Sequence, residues 1–210
     1  MGATAPETFP PGPVPGDRVL VIACGALANE VLAITRQHAL THIDLQCLPA
    51  QLHNRPEKIP DAVRRAIHVA RHDYQHILIG YGDCGTGGLL DTVLAEERVE
   101  RLPGAHCYAF FAGLEVFDAE AEAEPGTFYL TDFLARHFET LVIRPLGLDS
   151  HPELRDAYFG NYTRLLYLAQ TDDPDLDDRA RRAAERLGLA YARRRTGYGL
   201  LETRLGALSA

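Results

Sequence analysis

Apolar and polar positions alternate along the first half of the chain in blocks of strand and helix length. The runs "RVLVIAC" (18–24) and "HILIGY" (76–81) are continuously apolar, which is typical of strands covered on both faces. Between them, "HIDLQCL" alternates and predicts a strand with Ile43, Leu45 and Cys47 on one inward face, so Cys47 is expected in the core. The segments "GALANEVLAITRQHA" and "PEKIPDAVRRAIHVARHD" have the spacing of amphipathic helices.

The pattern continues with a predicted helix, "GLLDTVLAEERVERL", and a predicted short strand, "AHCYAFF". In the second half, "GTFYLT", "NYTRLLYLA" and "LAYARRR" read as strands, while "TDFLARHFE", "DPDLDDRARRAAERLG" and "GYGLLETRLGAL" read as helices. Strands that alternate with helices predict an α/β fold, with a mostly parallel, Rossmann-like sheet flanked by helices. In such sheets ligands bind at the carboxyl ends of the strands.

Length and composition favour one domain. The chain has 210 residues, of which 46% are hydrophobic and 24% charged. Residues 1–16 contain five prolines and predict a disordered lead-in, which leaves residues 17–210 as a single α/β domain. Division into two lobes near residue 125 is an alternative. Loose aromatic residues in the second half are compatible with either a core or a homo-oligomer face.

Charge and hydropathy exclude several classes of partner. The formal net charge of −8 argues against nucleic-acid binding, and no apolar stretch approaches bilayer length. No signal peptide is recognisable, so we expect a cytoplasmic protein. In a reducing compartment, its four cysteines are expected to be chemical or buried rather than disulfide-bonded.

Soft metal ligands follow the predicted strands. Cys24 ends the first strand, His53 follows the second, Cys84 follows the third, and Cys107 ends the predicted strand "AHC". Three thiolates and one imidazole suit zinc, or an iron–sulfur cluster with one histidine ligand. Redox or nucleophilic thiols and plain buried cysteines are the alternatives that the residues alone leave open.

The loop "YGDCGTGG", which carries Cys84, differs from the known phosphate-binding motifs. It lacks the lysine of a Walker A loop and the glycine steps of a dinucleotide fingerprint. Gly82, Gly85 and Gly87 instead suit backbone that wraps closely around a cysteine thiolate at a cofactor site, with N–H groups pointing at the sulfur. Phosphate binding by backbone N–H groups at the next helix remains an alternative.

Three further residues are candidates for catalysis. Tyr81 offers a hydroxyl to the site, Asp83 is placed to orient His53, and Glu115 is placed to act as a general acid or base. Each has a plain structural alternative. These are a core aromatic for Tyr81, a turn-stabilising carboxylate for Asp83 and a carboxylate at a helix N-terminus for Glu115.

The motifs "ACGALANE", "LPAQLHNRPEKIP", "YGDCGTGG", the "HC" before "FFAGLEVF", and "GTFYLT" resemble the domain of unknown function 1638 family. The resemblance runs from about residue 18 to the end of the chain. It implies a setting in one-carbon or methyl-transfer metabolism, near a methyltransferase or corrinoid protein. The family pattern carries onto Cys24, His53, Tyr81, Cys84 and Cys107 and strengthens the metal-site prediction.

The leading hypothesis is therefore a metalloenzyme of methyl-transfer metabolism that acts on a small-molecule substrate, with zinc or an iron–sulfur cluster held by Cys24, His53, Cys84 and Cys107. A non-catalytic accessory protein, which binds a corrinoid, metal or methyl carrier for a partner methyltransferase, is the first alternative. The second is a metal-free thiol enzyme in which Cys84 is the nucleophile and His53 its base.

Overall fold

The computed structural model describes residues 17–208, and the predicted lead-in at 1–16 lies outside them. Internal contacts divide the chain into two compact units, one of Met1–Ala105 with Thr203–Ala210 and the other of His106–Glu202. The division thus falls between Ala105 and His106, whereas the sequence suggested a lobe boundary near 125. The α/β class, with parallel strands flanked by helices, is confirmed, and the strands form two separate sheets.

The first unit is built on a four-stranded parallel sheet with the order β2-β1-β3-β4. Its elements are β1 (Val19–Cys24), α1 (Ala28–Gln37), β2 (Ile43–Leu48), α2 (Ile59–Ala70), β3 (His76–Gly80), α3 (Leu89–Glu97) and β4 (Glu100–Arg101). The predicted strands and helices up to β3 are therefore confirmed.

The central strand, β1, accounts for the continuous apolar run "RVLVIAC" in the sequence. All six residues of β1 are buried, because β2 and β3 pair with its two edges and helices cover its faces. On α2, Val63, Ile67 and Ala70 are buried as predicted. Gly80 allows β3 to approach β1, since a Cβ at this position would lie 2.8 Å from the Cβ of Ala23.

The prediction that "AHCYAFF" forms the fourth strand is wrong. The structure has a helix there, α4 (Cys107–Ala112), and the fourth strand is the two-residue β4 inside the segment predicted as helix. Arg98, with a left-handed φ of 52°, ends α3 and turns the chain towards β4. A short apolar run such as "CYAFF" fits a buried helix and a buried strand equally well.

The expectation that Cys47 lies in the core is also wrong. Its side chain is exposed, and Ile43 is the one fully buried residue of β2. The physical reason is position, since β2 is the outermost strand on its side of the sheet and pairs only with β1. An alternating pattern identifies which residues share a face, but it does not show how well that face is covered.

The second unit contains a three-stranded parallel sheet with the order β5-β6-β7. Its elements are α4, α5 (Leu114–Ala123), β5 (Thr127–Thr131), α6 (Asp132–Arg136), a π-helical turn (Glu139–Ile143), α7 (Arg155–Phe159), β6 (Arg164–Ala169), α8 (Pro174–Leu187) and β7 (Ala190–Arg195). The final helix, α9 (Gly199–Gly206), crosses the boundary between the units.

Two helices of the second unit begin at residues whose side chains cap the first turn. Thr131 caps α6 by accepting a hydrogen bond from the Leu134 amide, and Asp173 caps α8 in the same way through Asp175. Gly188, with a left-handed φ of 67°, ends α8. Across residues 17–208, none of the helices combines the length and apolar character needed to cross a bilayer.

Candidate functional site

The site begins at the carboxyl end of β1, where Cys24 is the last residue of the strand. Its side chain is buried, with 1% of its surface exposed. The chain then enters a tight turn at 25–27, and the Ala26 amide donates a hydrogen bond to the Cys24 Sγ at 3.4 Å. The Sγ also lies 3.5 Å from Nδ1 of His53.

His53 is brought to Cys24 by the parallel pairing of β1 and β2. Cys24 lies opposite Leu48 in the register, and His53 sits on the 3₁₀ turn Ala50–Asn54 that follows directly. Gly25 keeps the two chains close, because a Cβ there would lie 3.1 Å from the Leu48 carbonyl oxygen. The imidazole of His53 is half-buried, which leaves one side of the pair accessible.

Tyr81 closes the pair from the carboxyl end of β3. It is fully buried, and its ring stacks on the imidazole of His53 with centroids 6.1 Å apart and planes 17° apart. Its enclosed hydroxyl interacts with the Cys24 sulfur, in a contact that falls short of full hydrogen-bond geometry. Burial, followed by interaction with the thiols of Cys24 and Cys84, raises the pKa of Tyr81 far above its usual value.

Cys84 is held in the loop after β3 by unusual backbone geometry. Its φ of 50° is left-handed, which is uncommon for a residue other than glycine. The Cys84 amide donates to the Ala105 carbonyl at 2.8 Å, and the Asp83 amide donates to the Gly104 carbonyl at 3.0 Å. Cys84 is 7% exposed, and its thiol is near enough to Cys24 to influence the Cys24 pKa.

Burial has the largest influence on the pKa of the Cys24 thiol. Burial raises the pKa of Cys24 to about 11, against a smaller lowering by the Ala26 amide. A nucleophilic cysteine needs the opposite shift. The thiol of Cys24 therefore has the burial of a structural or metal-binding cysteine rather than that of a free nucleophile.

Asp83 organises the loop that carries Cys84. Its carboxylate accepts hydrogen bonds from the Thr86 hydroxyl at 2.7 Å, the Gly87 amide at 3.1 Å and the Gly88 amide at 2.8 Å. Burial would raise the Asp83 pKa, but these three donors outweigh it and lower that pKa. The proposed orientation of His53 by Asp83 stays a prediction, while the turn-stabilising contacts are present.

The glycines of the loop serve its backbone geometry. Gly85 and Gly87 have left-handed φ values of 83° and 63°, and Gly82 is buried between Tyr81 and Asp83. Because the Asp83 carboxylate already occupies the Gly87 and Gly88 amides, these two N–H groups are not presented to a phosphate. The structure therefore gives the loop the role of positioning Cys84.

Two predicted site residues belong to the second unit. Cys107 is the first residue of α4 and half-buried, and Glu115 is exposed in the first turn of α5. Their roles as metal ligand and general acid stay predictions. Within 17–208, no group of three or more His, Cys, Asp or Glu side chains is arranged to hold a metal ion as it stands.

Sequence reasoning missed the specific pairing inside the site. It assigned His53 to Cys84 in the thiol-enzyme alternative and to Asp83 for orientation, whereas His53 Nδ1 lies beside Cys24. The signal that could have shown this is the adjacency of β1 and β2, which a β-α-β unit implies. The Ala26 amide, which donates to the sulfur, has no side-chain signature in the sequence.

Comparison with known proteins places the chain in a family. No curated protein and no solved structure matches it. The family model described as "Protein of unknown function (DUF1638)" matches residues 47–205, a span that includes His53, Cys84 and Cys107 and begins after Cys24. Because this match covers most of the chain, the protein belongs to the DUF1638 family.

Proposed function

We propose that Cys24, His53 and Cys84 bind a single zinc ion at the carboxyl edge of the four-stranded sheet. The observation that carries the proposal is the 3.5 Å separation of Cys24 Sγ and His53 Nδ1. Two donors at Zn–S and Zn–N distances of about 2.3 and 2.05 Å, subtending a tetrahedral angle, are about 3.6 Å apart. The pair thus has the spacing of two ligands of one ion.

The same spacing favours a mononuclear ion over an iron–sulfur cluster. In a [4Fe–4S] cluster each iron takes one protein ligand, whereas a thiolate and an imidazole this close suit one shared ion. Two thiolates and an imidazole are donors that zinc accepts readily. Cys24 and His53 are already in place, and the Cys84 loop supplies the third donor by a local adjustment.

The buried hydroxyl of Tyr81 supports the proposal independently. This hydroxyl is enclosed and its contact with the Cys24 sulfur falls short of full hydrogen-bond geometry, and burial makes such a group costly. Metal binding converts the Cys24 thiol into a thiolate, which is a much stronger acceptor. Tyr81 would then donate to the Cys24 sulfur, as partners of metal ligands commonly do.

The geometry also favours the metal site over the metal-free thiol enzyme. That alternative requires His53 to act as base for Cys84, but Nδ1 of His53 faces the enclosed thiol of Cys24 instead. A zinc ion with an exchangeable position supplies activation of a thiol or a water molecule. The proposed setting in one-carbon or methyl-transfer metabolism, with a methyltransferase or corrinoid protein as partner, rests on the family resemblance alone. We place the protein in the cytoplasm, where its thiols stay reduced.

The test is the metal content of the protein purified without oxygen. Zinc, iron and inorganic sulfide are measured for the wild type and for Cys24→Ser and Cys84→Ser. Cys47→Ser is the matched control, because Cys47 is the exposed thiol of the edge strand. Cys107→Ser tests the sequence-based prediction of a fourth ligand. Circular dichroism verifies that each variant is folded.

We expect close to one zinc ion per wild-type chain, retention of that zinc in Cys47→Ser, and loss in Cys24→Ser and Cys84→Ser. Iron together with sulfide and a brown chromophore would replace the zinc proposal with a cluster. A wild-type protein that binds neither zinc nor iron, even after incubation with excess metal, would overturn the proposal.

A further inference from the structure

The second unit contains a cleft of its own, between α6 and the exposed face of α8. The cleft has a volume of about 760 Å³, within the range of small-molecule sites. Arginines dominate its lining, with Arg136 on one side and Arg179, Arg182 and Arg186 on the other. The lining also contains Glu139 and Glu185, so its formal charge is +2 with histidine neutral.

The three arginines of α8 share one helix face by their spacing. Positions 179, 182 and 186 are separated by three and four residues, which places their side chains in one row. Like charges at these separations repel each other, and Arg182 lies between the other two. Acids of the same helix offset part of this repulsion, since Asp175 binds Arg179 and Asp178 and Glu185 lie four residues before and three after Arg182. The helix dipole accounts for a cation in the last turn, but it does not account for three along the face.

The ion pairs around the cleft neutralise only part of this charge. Arg179 binds Asp175 at 2.7 Å, and Arg186 lies 3.6 Å from Glu139. Arg136 and Arg182 are both exposed and form no salt bridge with any residue of 17–208. The two uncompensated guanidinium groups come from separate helices that meet at the same cleft.

The other basic segment of this unit shows the contrast. In β7, Arg193 and Arg195 pair with Asp172, and Arg194 pairs with Glu120. That run is therefore balanced by acids of its own unit, and it needs no external anion. In the cleft, by contrast, Arg136 and Arg182 form no salt bridge with any described residue.

We propose that this cleft binds a small phosphorylated molecule, and that Arg136 and Arg182 bind its phosphate groups. Guanidinium groups match phosphate oxygens with paired hydrogen bonds, which makes arginine the preferred residue for this task. The Thr140 hydroxyl offers a further donor, and Ala135, Phe138 and Ala183 provide an apolar wall for the organic part. This inference is independent of the zinc proposal, since it uses residues of the second unit only.

The experiment is a calorimetric titration of the full-length protein with inorganic pyrophosphate, at low salt and without added metal. Arg136→Gln and Arg182→Gln each remove one uncompensated cation. Arg144→Gln is the matched control, because Arg144 is an exposed arginine of the same unit outside the cleft lining. Thermal unfolding establishes that the variants are as stable as the wild type.

We expect each cleft variant to weaken pyrophosphate binding by about tenfold or more, and the control to bind like the wild type. The absence of measurable binding to the wild type would overturn the inference. Equal weakening in Arg144→Gln would do the same, because it would reduce the effect to general surface charge. Tighter binding of a single-stranded oligonucleotide, lost in the same variants, would replace the small molecule with a nucleic acid.

Discussion

The Sγ of Cys24 lies 3.5 Å from Nδ1 of His53, although the two residues are separated by the whole of α1 and β2. The contact follows from the parallel pairing of two neighbouring strands, whose carboxyl ends must emerge at the same edge. Because β1 is central and fully buried, the position of Cys24 is fixed by the packing of the sheet. The site is therefore held on the Cys24 side by the sheet and on the Cys84 side by the hydrogen bonds of its loop.

Replacing His53 should remove zinc while leaving the fold intact. We expect His53→Gln to lower zinc affinity about a hundredfold, since an apparent binding energy of roughly 10–16 kcal/mol is shared among three or four ligands. His72→Gln is the control, because His72 is exposed on the same unit and away from the site. Competition with a chromophoric chelator measures both. Equal zinc affinity in His53→Gln and wild type would exclude His53 as a ligand.

Tyr81→Phe should separate the metal-free from the metal-bound protein. Without metal, loss of the enclosed hydroxyl should leave the free energy of unfolding unchanged or raise it by up to about 1 kcal/mol, because its contact with the Cys24 thiol falls short of a full hydrogen bond. With zinc, the same change should lower affinity about tenfold or more, since the Cys24 thiolate loses a donor.

Tyr129→Phe is the matched control for this prediction. Tyr129 also has an enclosed hydroxyl without a hydrogen bond to any described residue, but it belongs to the sheet of the second unit. Its effect on metal-free stability should be similar, and its effect on zinc affinity should be absent. If Tyr81 has only a structural role, Tyr81→Phe and Tyr129→Phe should both leave zinc affinity unchanged. That result would contradict the proposed role of Tyr81 as a donor to the Cys24 thiolate.

The sequence predicted the first sheet well because its strands are continuous apolar runs. It also predicted three ligand candidates in the first unit, since Cys24, His53 and Cys84 follow consecutive strands that lie side by side in the structure. Their placement at one edge was predictable because the carboxyl ends of parallel strands gather there, while their role as metal ligands stays a prediction. The sequence did not show which of these candidates lie in direct contact, because the turns that follow the strands determine those contacts.

The errors came from local signals that packing overrides. The apolar residues of "CYAFF" pack in the core as part of a helix rather than a strand. Three of them, Ala109, Phe110 and Phe111, are buried on α4. Cys47 alternates correctly with its neighbours, but its strand lies at a sheet edge that no pattern within the strand could reveal. In both cases the outcome depends on tertiary packing, which the local sequence pattern does not show.

Asp83→Ala should destabilise the loop that carries Cys84. Three donors, from Thr86, Gly87 and Gly88, lose their acceptor, so the free energy of unfolding should fall by about 2 kcal/mol. The Gly87 and Gly88 amides should also exchange their hydrogens faster. Urea unfolding and hydrogen exchange measure these effects. Unchanged stability combined with lost zinc would instead assign Asp83 to the orientation of a ligand.

Glu97 should make the stability of the first unit depend on pH. Its side chain is 11% exposed and binds His68 at 2.8 Å and both Arg64 and Arg71 at 3.2 Å, linking α3 to α2. Burial would raise the Glu97 pKa, but the hydrogen bonds from His68 and Arg71 lower it below its usual value of 4.5. A carboxylate with a lowered pKa stabilises the fold above the unfolded-state pKa, and this contribution is lost as the pH falls through the folded-state pKa.

Glu97→Gln, which resembles the protonated carboxyl group, should therefore lower the free energy of unfolding by about 1–2 kcal/mol at pH 7. The difference from wild type should shrink below pH 4.5 and vanish in stronger acid, where both side chains are neutral. Urea unfolding at a series of pH values measures it. Glu96→Gln provides the comparison, because Glu96 is 55% exposed and contacts only Arg64 among the ion pairs of this cluster, so its effect should be smaller. A difference for Glu97→Gln that stays constant from pH 7 into strong acid would show that shape and packing, rather than charge, join the two helices.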